Sequence, residues 1–193
     1  MKTFLSAILL CSILMSCGGN EKKSAFEGEV IKEHPTAAVG TIPENSLYML
    51  TDSFQTQNNQ QIVLSHFAGK PTVVGMIFTH CDYACPRLTA DIKGINKELN
   101  APEGKVNYVL ISFDTERDTP EVLKKYANNL KLDKDYTLLH GSEEAVRTLS
   151  VLLNVQFQKD AEGNFSHSNI ISVLDKEGNL VNQKEGLEAN HEK

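Results

Sequence analysis

Thr72-Val73-Val74-Gly75-Met76-Ile77-Phe78-Thr79-His80-Cys81-Asp82-Tyr83-Ala84-Cys85-Pro86 is the stretch from which the rest of the chain can be read. Its first seven residues form a continuous apolar run entered through Gly69-Lys70-Pro71, a pattern that predicts a strand buried on both faces. The run gives way to Ala84 to Leu99, where Leu88, Ile92, Ile95 and Leu99 recur at helical spacing and mark one apolar helix face. A buried strand that feeds an amphipathic helix is the start of a β-α unit, and here two cysteines sit at the junction.

Toward the C-terminus the pattern repeats. Val106 to Phe113 is a second buried strand. Asp118-Thr119-Pro120-Glu121 is a helix start, with a capping residue, Pro in the first position and an acid in the first turn; Val122, Leu123, Tyr126 and Leu130 supply that helix's inner face. Tyr136 to Leu139 predicts a short strand, and Ser142-Glu143-Glu144 caps a helix with apolar positions at Ala145, Val146, Leu149, Leu152 and Leu153. Ile170 to Leu174 and Leu180 to Asn182 flank Asp175-Lys176-Glu177-Gly178-Asn179, a hairpin turn with a glycine available for positive φ. Toward the N-terminus, Leu47 to Leu50 and Ile62 to Leu64 read as short strands around the polar segment Thr51 to Gln61, an N-terminal β-hairpin. The order predicts an α/β domain over residues 46–193. Its central mixed sheet has a parallel core and helices on both faces, and its chemistry lies beyond the carboxyl ends of the strands.

Ahead of the domain, residues 1–16 carry Lys2 and then an almost wholly apolar run from Phe4 to Met15. That run is shorter than the roughly 20 residues a helix needs to span a bilayer, so it reads as a secretory signal. It ends in Leu14-Met15-Ser16-Cys17-Gly18, which resembles a bacterial lipobox. The expectation is that residues 1–16 are removed, that Cys17 is lipidated, and that residues 17–45, which lack an apolar period, form a flexible tether. The product would be a membrane-anchored lipoprotein on the extracytoplasmic, periplasmic side; an ordinary signal peptide cut nearby is the alternative. The chain has 19 basic and 25 acidic side chains, a net charge of −6 that becomes −7 without Lys2, so its surface repels phosphate backbones and argues against a nucleic-acid partner. With 40% hydrophobic residues, 12 Gly and 6 Pro, the composition excludes a collagen-like or low-complexity chain.

Of four cysteines, Cys11 leaves with the signal and Cys17 is taken by lipid, so Cys81 and Cys85 remain as thiols. An exported chain with one close pair has no disulfide framework to build; the pair is a local disulfide, a redox couple or two metal ligands. A spacing of four puts both sulfurs on one side of a helical turn, and a helix N-terminus is expected to lower thiol pKa through its unpaired amides and dipole. The spacing is one wider than in the usual C-x-x-C dithiol, which favours bridging a metal without forbidding a disulfide. The bland alternative is a buried, inert pair.

A third ligand would decide between them. His34 and His191 fall in the tails, His66 and His140 at strand or loop edges, and His80 points away from Cys81 by strand alternation. His167, in Phe165-Ser166-His167-Ser168-Asn169 just before the strand at Ile170, is the candidate, read as a loop residue. Two thiolates and an imidazole form a soft, low-coordinate set that suits copper, whereas a structural zinc usually takes four protein ligands. Asp114, at the carboxyl end of the second core strand, is either a carboxylate that tunes such a site from behind its ligands or a loop cap beside Asp118.

Assembled, these residues resemble the SCO/SenC family of thioredoxin-fold copper proteins. The resemblance rests on Cys81-Asp82-Tyr83-Ala84-Cys85-Pro86, on the run from Ile111 to Leu123 (Ile-Ser-Phe-Asp-Thr-Glu-Arg-Asp-Thr-Pro-Glu-Val-Leu), and on His167 with the strand and hairpin turn after it. It covers about Leu47 to Gly186. It implies a thioredoxin-like fold with copper, as Cu(I) or Cu(II), held by Cys81, Cys85 and His167. It also implies a metallochaperone that delivers copper to, or keeps reduced, the binuclear copper site of cytochrome c oxidase subunit II. In thioredoxin-like chains a cis-Pro loop that grips peptide substrates precedes this strand; here there is no Pro, and His167 takes its place. The alternative is an extracytoplasmic thiol–disulfide oxidoreductase, in which Cys81 attacks a partner disulfide and Cys85 resolves the mixed species. A thiol peroxidase fits less well, because the Pro-Thr-x-x-Cys surround is missing. The chain departs from the family at Ser166, where an acid is common, and at His80, where an Arg or similar residue is frequent. Residues 186–193 are too short and polar for the family's final helix, which predicts a thinly covered sheet face.

Overall fold

The computed structural model describes residues 42–187. The expected signal at 1–16, Cys17, the tether up to residue 41, His34 and His191 lie outside the described residues. A hairpin of β1 (Phe54–Thr56) and β2 (Gln61–Ile62) is followed by β3 (Thr72–Ile77), α1 (Ala84–Leu99), β4 (Asn107–Ser112), α2 (Pro120–Asn129), β5 (Tyr136–Gly141) and α3 (Glu143–Leu152). A small hairpin of β6 (Phe157–Lys159) and β7 (Phe165–His167) precedes β8 (Ile170–Leu174) and β9 (Leu180–Glu185). The main sheet runs β2-β1-β5-β4-β3-β8-β9. Its centre, β5-β4-β3, is parallel, and β1 and β8 flank it antiparallel. This is the thioredoxin-like mixed sheet that the β-α alternation predicts.

Every residue of β3 is buried, as its uninterrupted apolar run requires. On one face α1 lies so close that a methyl at Gly75 would stand 2.8 Å from Ile92 Cδ1, which is why glycine occupies the middle of this strand. Leu88 and Ile92 are fully buried there, and each contributes about 1.5–3 kcal/mol of apolar burial. Beside α1, α2 is joined to it by a hydrogen bond between Thr89 Oγ1 and Tyr126 OH (3.2 Å). The opposite face is covered by α3, whose Leu149 and nearby Leu153 line a small apolar cavity with Val74, Val109, Ile111 and Leu174. Both later helices start as their sequences predict: Thr119 Oγ1 accepts from Val122 N–H and Ser142 Oγ from Ala145 N–H.

The structure corrects three local readings. Leu47–Met49 is a turn of 3₁₀ helix and not a strand. Ser46 Oγ caps it by accepting from Tyr48 N–H (3.0 Å), and Tyr48 is buried with its hydroxyl bonded to Thr72 Oγ1 (2.8 Å). The N-terminal hairpin is real but later, with Phe54 opposite Ile62. Phe165–His167 is a strand and not a loop. In α3, Leu152 faces solvent, while Leu149 and Leu153 take the inward positions. An open groove among the described residues is lined by Ile95, Ile171, Val173, Asn182 and Lys184. Among the described residues no helix is long and apolar enough to cross a membrane.

Candidate metal centre

β3 and β4 end side by side, Ile77 opposite Ser112, and present Phe78 and Phe113 at their carboxyl ends. The chain then turns, with Cys81 N–H reaching Phe78 O (3.4 Å), before α1 begins. Cys81 thus precedes the helix, and no side chain of the N-cap residue Tyr83 bonds the first turn. Sulfur supplies an acceptor instead: Cys81 Sγ accepts from Cys85 N–H (3.3 Å) in the first turn, while Cys85 Sγ accepts from Phe78 N–H (3.4 Å) at the end of β3. Cys85 is fully buried and Cys81 is partly exposed.

The third group arrives on β7. Phe157 pairs with His167 and Lys159 with Phe165, so these four side chains share one face of the small hairpin while Gln158 and Ser166 point to solvent. His167 Nε2 lies 3.6 Å from Cys85 Sγ, and the three ligand atoms of Cys81, Cys85 and His167 are all within 4.8 Å of one another. Donors about 2.3 Å (sulfur) and about 2.0 Å (nitrogen) from one metal, about 120° apart, would themselves be about 3.7 Å apart. The arrangement therefore has room for one metal ion. Nδ1–H of His167 donates to Ser168 O (3.1 Å), which fixes the tautomer that leaves Nε2 with a free lone pair. That carbonyl orients the ring in this chain, where Ser166 replaces the family's common acid.

Aromatic rings wall the site. The His167 ring meets Phe113 at 5.0 Å and Phe78 edge-on at 6.0 Å, and Phe165 packs on both phenylalanines. Their burial governs the electrostatics. Burial pushes the Cys85 thiol far above its ordinary value, against the hydrogen bond from Phe78 N–H that favours the thiolate. The expected lowering at a helix N-terminus does not hold for Cys85, because desolvation outweighs the amides. Burial likewise lowers His167, opposed by the Ser168 bond. The metal-free site thus holds a protonated Cys85 thiol and a neutral imidazole, and cation binding displaces the thiol proton.

The other candidates fall elsewhere. Asp114, His80 and Asp118 form a second cluster within 4.8 Å. Asp114 is buried in an ion pair with Arg117, and its N–H bonds Ser112 Oγ (3.0 Å). Asp118, fully buried, accepts from Thr79 N–H (2.8 Å), Thr79 Oγ1 (2.5 Å) and Ser112 Oγ (2.6 Å). The His80 ring is half exposed, with Nδ1 3.6 Å from Asp118. His66 is exposed against the Phe67 ring, and His140 lies on β5 opposite Gln55. Sequence reasoning missed the phenylalanine wall, the Ser168 carbonyl and Arg117. The alternation Phe165-Ser166-His167 was the available signal for the first of these.

The SCO1/SenC family model matches residues 44–193. The SCO1 protein homolog of Bacillus subtilis is 25% identical over 191 residues, covering 95% of this chain and 88% of that one. Among solved structures, a SCO1/SenC family lipoprotein from Bacillus anthracis is similar with TM-score 0.64 and 26% identity, covering 74% of this chain and 85% of that one. ScoI of Bradyrhizobium japonicum, solved with copper bound, is similar with TM-score 0.57 and 26% identity, covering 68% and 85%. With the family model spanning the whole sheet and all three converging side chains, the chain belongs to the SCO1/SenC family.

Proposed function

We propose that the protein is a copper metallochaperone. It carries one copper ion as cargo on Cys81 Sγ, Cys85 Sγ and His167 Nε2, and passes it to a cuproprotein such as cytochrome c oxidase subunit II or maintains that acceptor's thiols. The observation that carries this reading is the convergence of the two sulfurs with a tautomer-fixed Nε2 3.6 Å from Cys85 Sγ. Two soft sulfurs and one nitrogen, with no fourth ligand in that group among the described residues, suit copper better than structural zinc. The copper-bound Bradyrhizobium structure supports the same cargo. Loading displaces the Cys85 thiol proton, and the phenylalanine wall keeps water from Cys85 and from one side of the His167 ring. Cys81 and His167 are both partly exposed while Cys85 is buried, so an acceptor thiolate meets the copper from their side and takes it by stepwise ligand exchange. The lipobox at Cys17 and the lipoprotein relative in B. anthracis support anchoring on the extracytoplasmic face of a membrane. Cys17→Ser is expected to release the protein from the membrane fraction.

Titration of Cu(I) into reduced protein against a chromogenic chelator tests the cargo. His167→Ala is expected to weaken binding about tenfold or more, roughly 1.4 kcal/mol. Unchanged affinity with intact dithiol activity would leave the second reading, a thiol–disulfide oxidoreductase. What favours that reading is the asymmetry of the pair, an accessible Cys81 to attack and a buried Cys85 to resolve.

A further inference from the structure

β6 and β7 pair only with each other, so no ladder ties the strand that carries His167 to the main sheet. Only Ser168 and Asn169 separate His167 from β8, so that end of the hairpin is held by the chain itself, and side chains set where the turn end stands. The phenylalanine packing is non-directional and by itself allows the hairpin to slide. Besides the bond from His167 Nδ1–H to Ser168 O, which orients the ring itself, a directional contact lies at the hairpin's turn. Buried Asp114 grips Arg117 through both the guanidinium Nε–H and the backbone N–H, and the far edge of the same guanidinium donates through Nη2 to Gly163 O in the β6–β7 turn. Its Cζ also lies 5.9 Å from the Phe165 ring. Behind Asp114 the bonds continue through Ser112 and Asp118 to Thr79, two residues before Cys81. One polar chain thus runs from the sulfur-bearing turn to the histidine-bearing hairpin.

We propose that Arg117 is a positioning residue for His167. Held by Asp114 on one edge and by Gly163 O on the other, it fastens the β6–β7 hairpin over the cysteines and sets the gap between Nε2 and sulfur. This rests on the three-ligand reading above. The neighbouring Lys159–Glu116 pair touches the same hairpin but is exposed to solvent, where an ion pair contributes little, so it serves as the control.

Two measurements test the proposal. In the metal-free reduced protein, nuclear Overhauser contacts between the His167 ring and the Phe113 ring are expected in the parent and in Glu116→Gln, and are expected to be lost in Arg117→Ala. Persistence of those contacts in Arg117→Ala overturns the proposal without reference to copper. In Cu(I) competition, Arg117→Ala is expected to weaken binding about tenfold, the low end for removing a group that orients a ligand, and Arg117→Lys, which cannot span both acceptors, less than that. Arg117→Ala/His167→Ala should bind no more weakly than His167→Ala alone, because both changes act through one ring. Additive losses, or a lowered melting temperature with unchanged affinity, would reduce Arg117 to a structural role. If His167→Ala alone leaves affinity intact, the ligand assignment fails, while the contacts in the metal-free protein still decide whether Arg117 holds the hairpin.

Discussion

At Cys85 two opposed influences meet, and their sizes differ. A backbone N–H points at the sulfur, yet complete burial dominates and keeps the thiol protonated. Alkylation of the reduced, metal-free protein should therefore modify Cys81 at least about tenfold faster than Cys85, as read by peptide mass spectrometry. Titration linkage gives a pH window. The Cys85 pKa is raised in the fold, so its stabilisation is fully present below its ordinary value of 9.0 and is lost as pH rises above that. The His167 pKa is lowered, so its contribution is fully present above 6.5 and lost as pH falls through the lower, folded value. Melting temperature against pH should show the contribution of these two groups as a plateau between about 6.5 and 9. Cys85→Ser should remove the part of the alkaline decline that begins near 9, leaving the part due to the buried Tyr126 and Tyr136.

At the scale of elements, α1 positions the sulfurs and the sheet positions α1. Gly75→Ala puts a methyl against the flexible end of Ile92, which must shift with the helix; the expected loss is about 1–3 kcal/mol in urea melts, with weaker copper binding because the first turn moves. Ser142→Ala removes the cap of α3, a helix that carries none of the three ligands, and should cost about 1 kcal/mol with copper affinity unchanged. Equal effects of the two variants on copper would contradict this division of labour. The helices were legible because each has a strong period, and α2 and α3 also carry a capping start signal. The β6–β7 hairpin was not, since a three-residue strand with one polar outward residue carries too little alternation to be told from a loop. Leu47 to Leu50 was misread for the opposite reason: it is an apolar run, but only Leu47 and Tyr48 are buried, beside Thr72 and the Asp175–Asn179 turn, and an apolar run alone does not distinguish a strand from a 3₁₀ turn.

For the molecule as a whole, a metal held by α1 and the β6–β7 hairpin couples two parts that share no ladder. Copper at about a thousand times its dissociation constant should stabilise the protein by about 4 kcal/mol, and amide exchange across 157–167 should slow more than in the main sheet. Chelation should reverse both, and unchanged protection in the hairpin would argue against His167 as a ligand. The β-α order, the sheet's buried core and the cysteine pair were all set by local pattern, because burial period, capping and spacing are properties of neighbouring residues. Which histidine meets the sulfurs, which group holds its other nitrogen, and whether amide or burial governs a thiol were decided only in three dimensions. The first depends on groups more than eighty residues apart, the second on how the ring is turned against its own neighbour's carbonyl, and the third on how completely water is excluded.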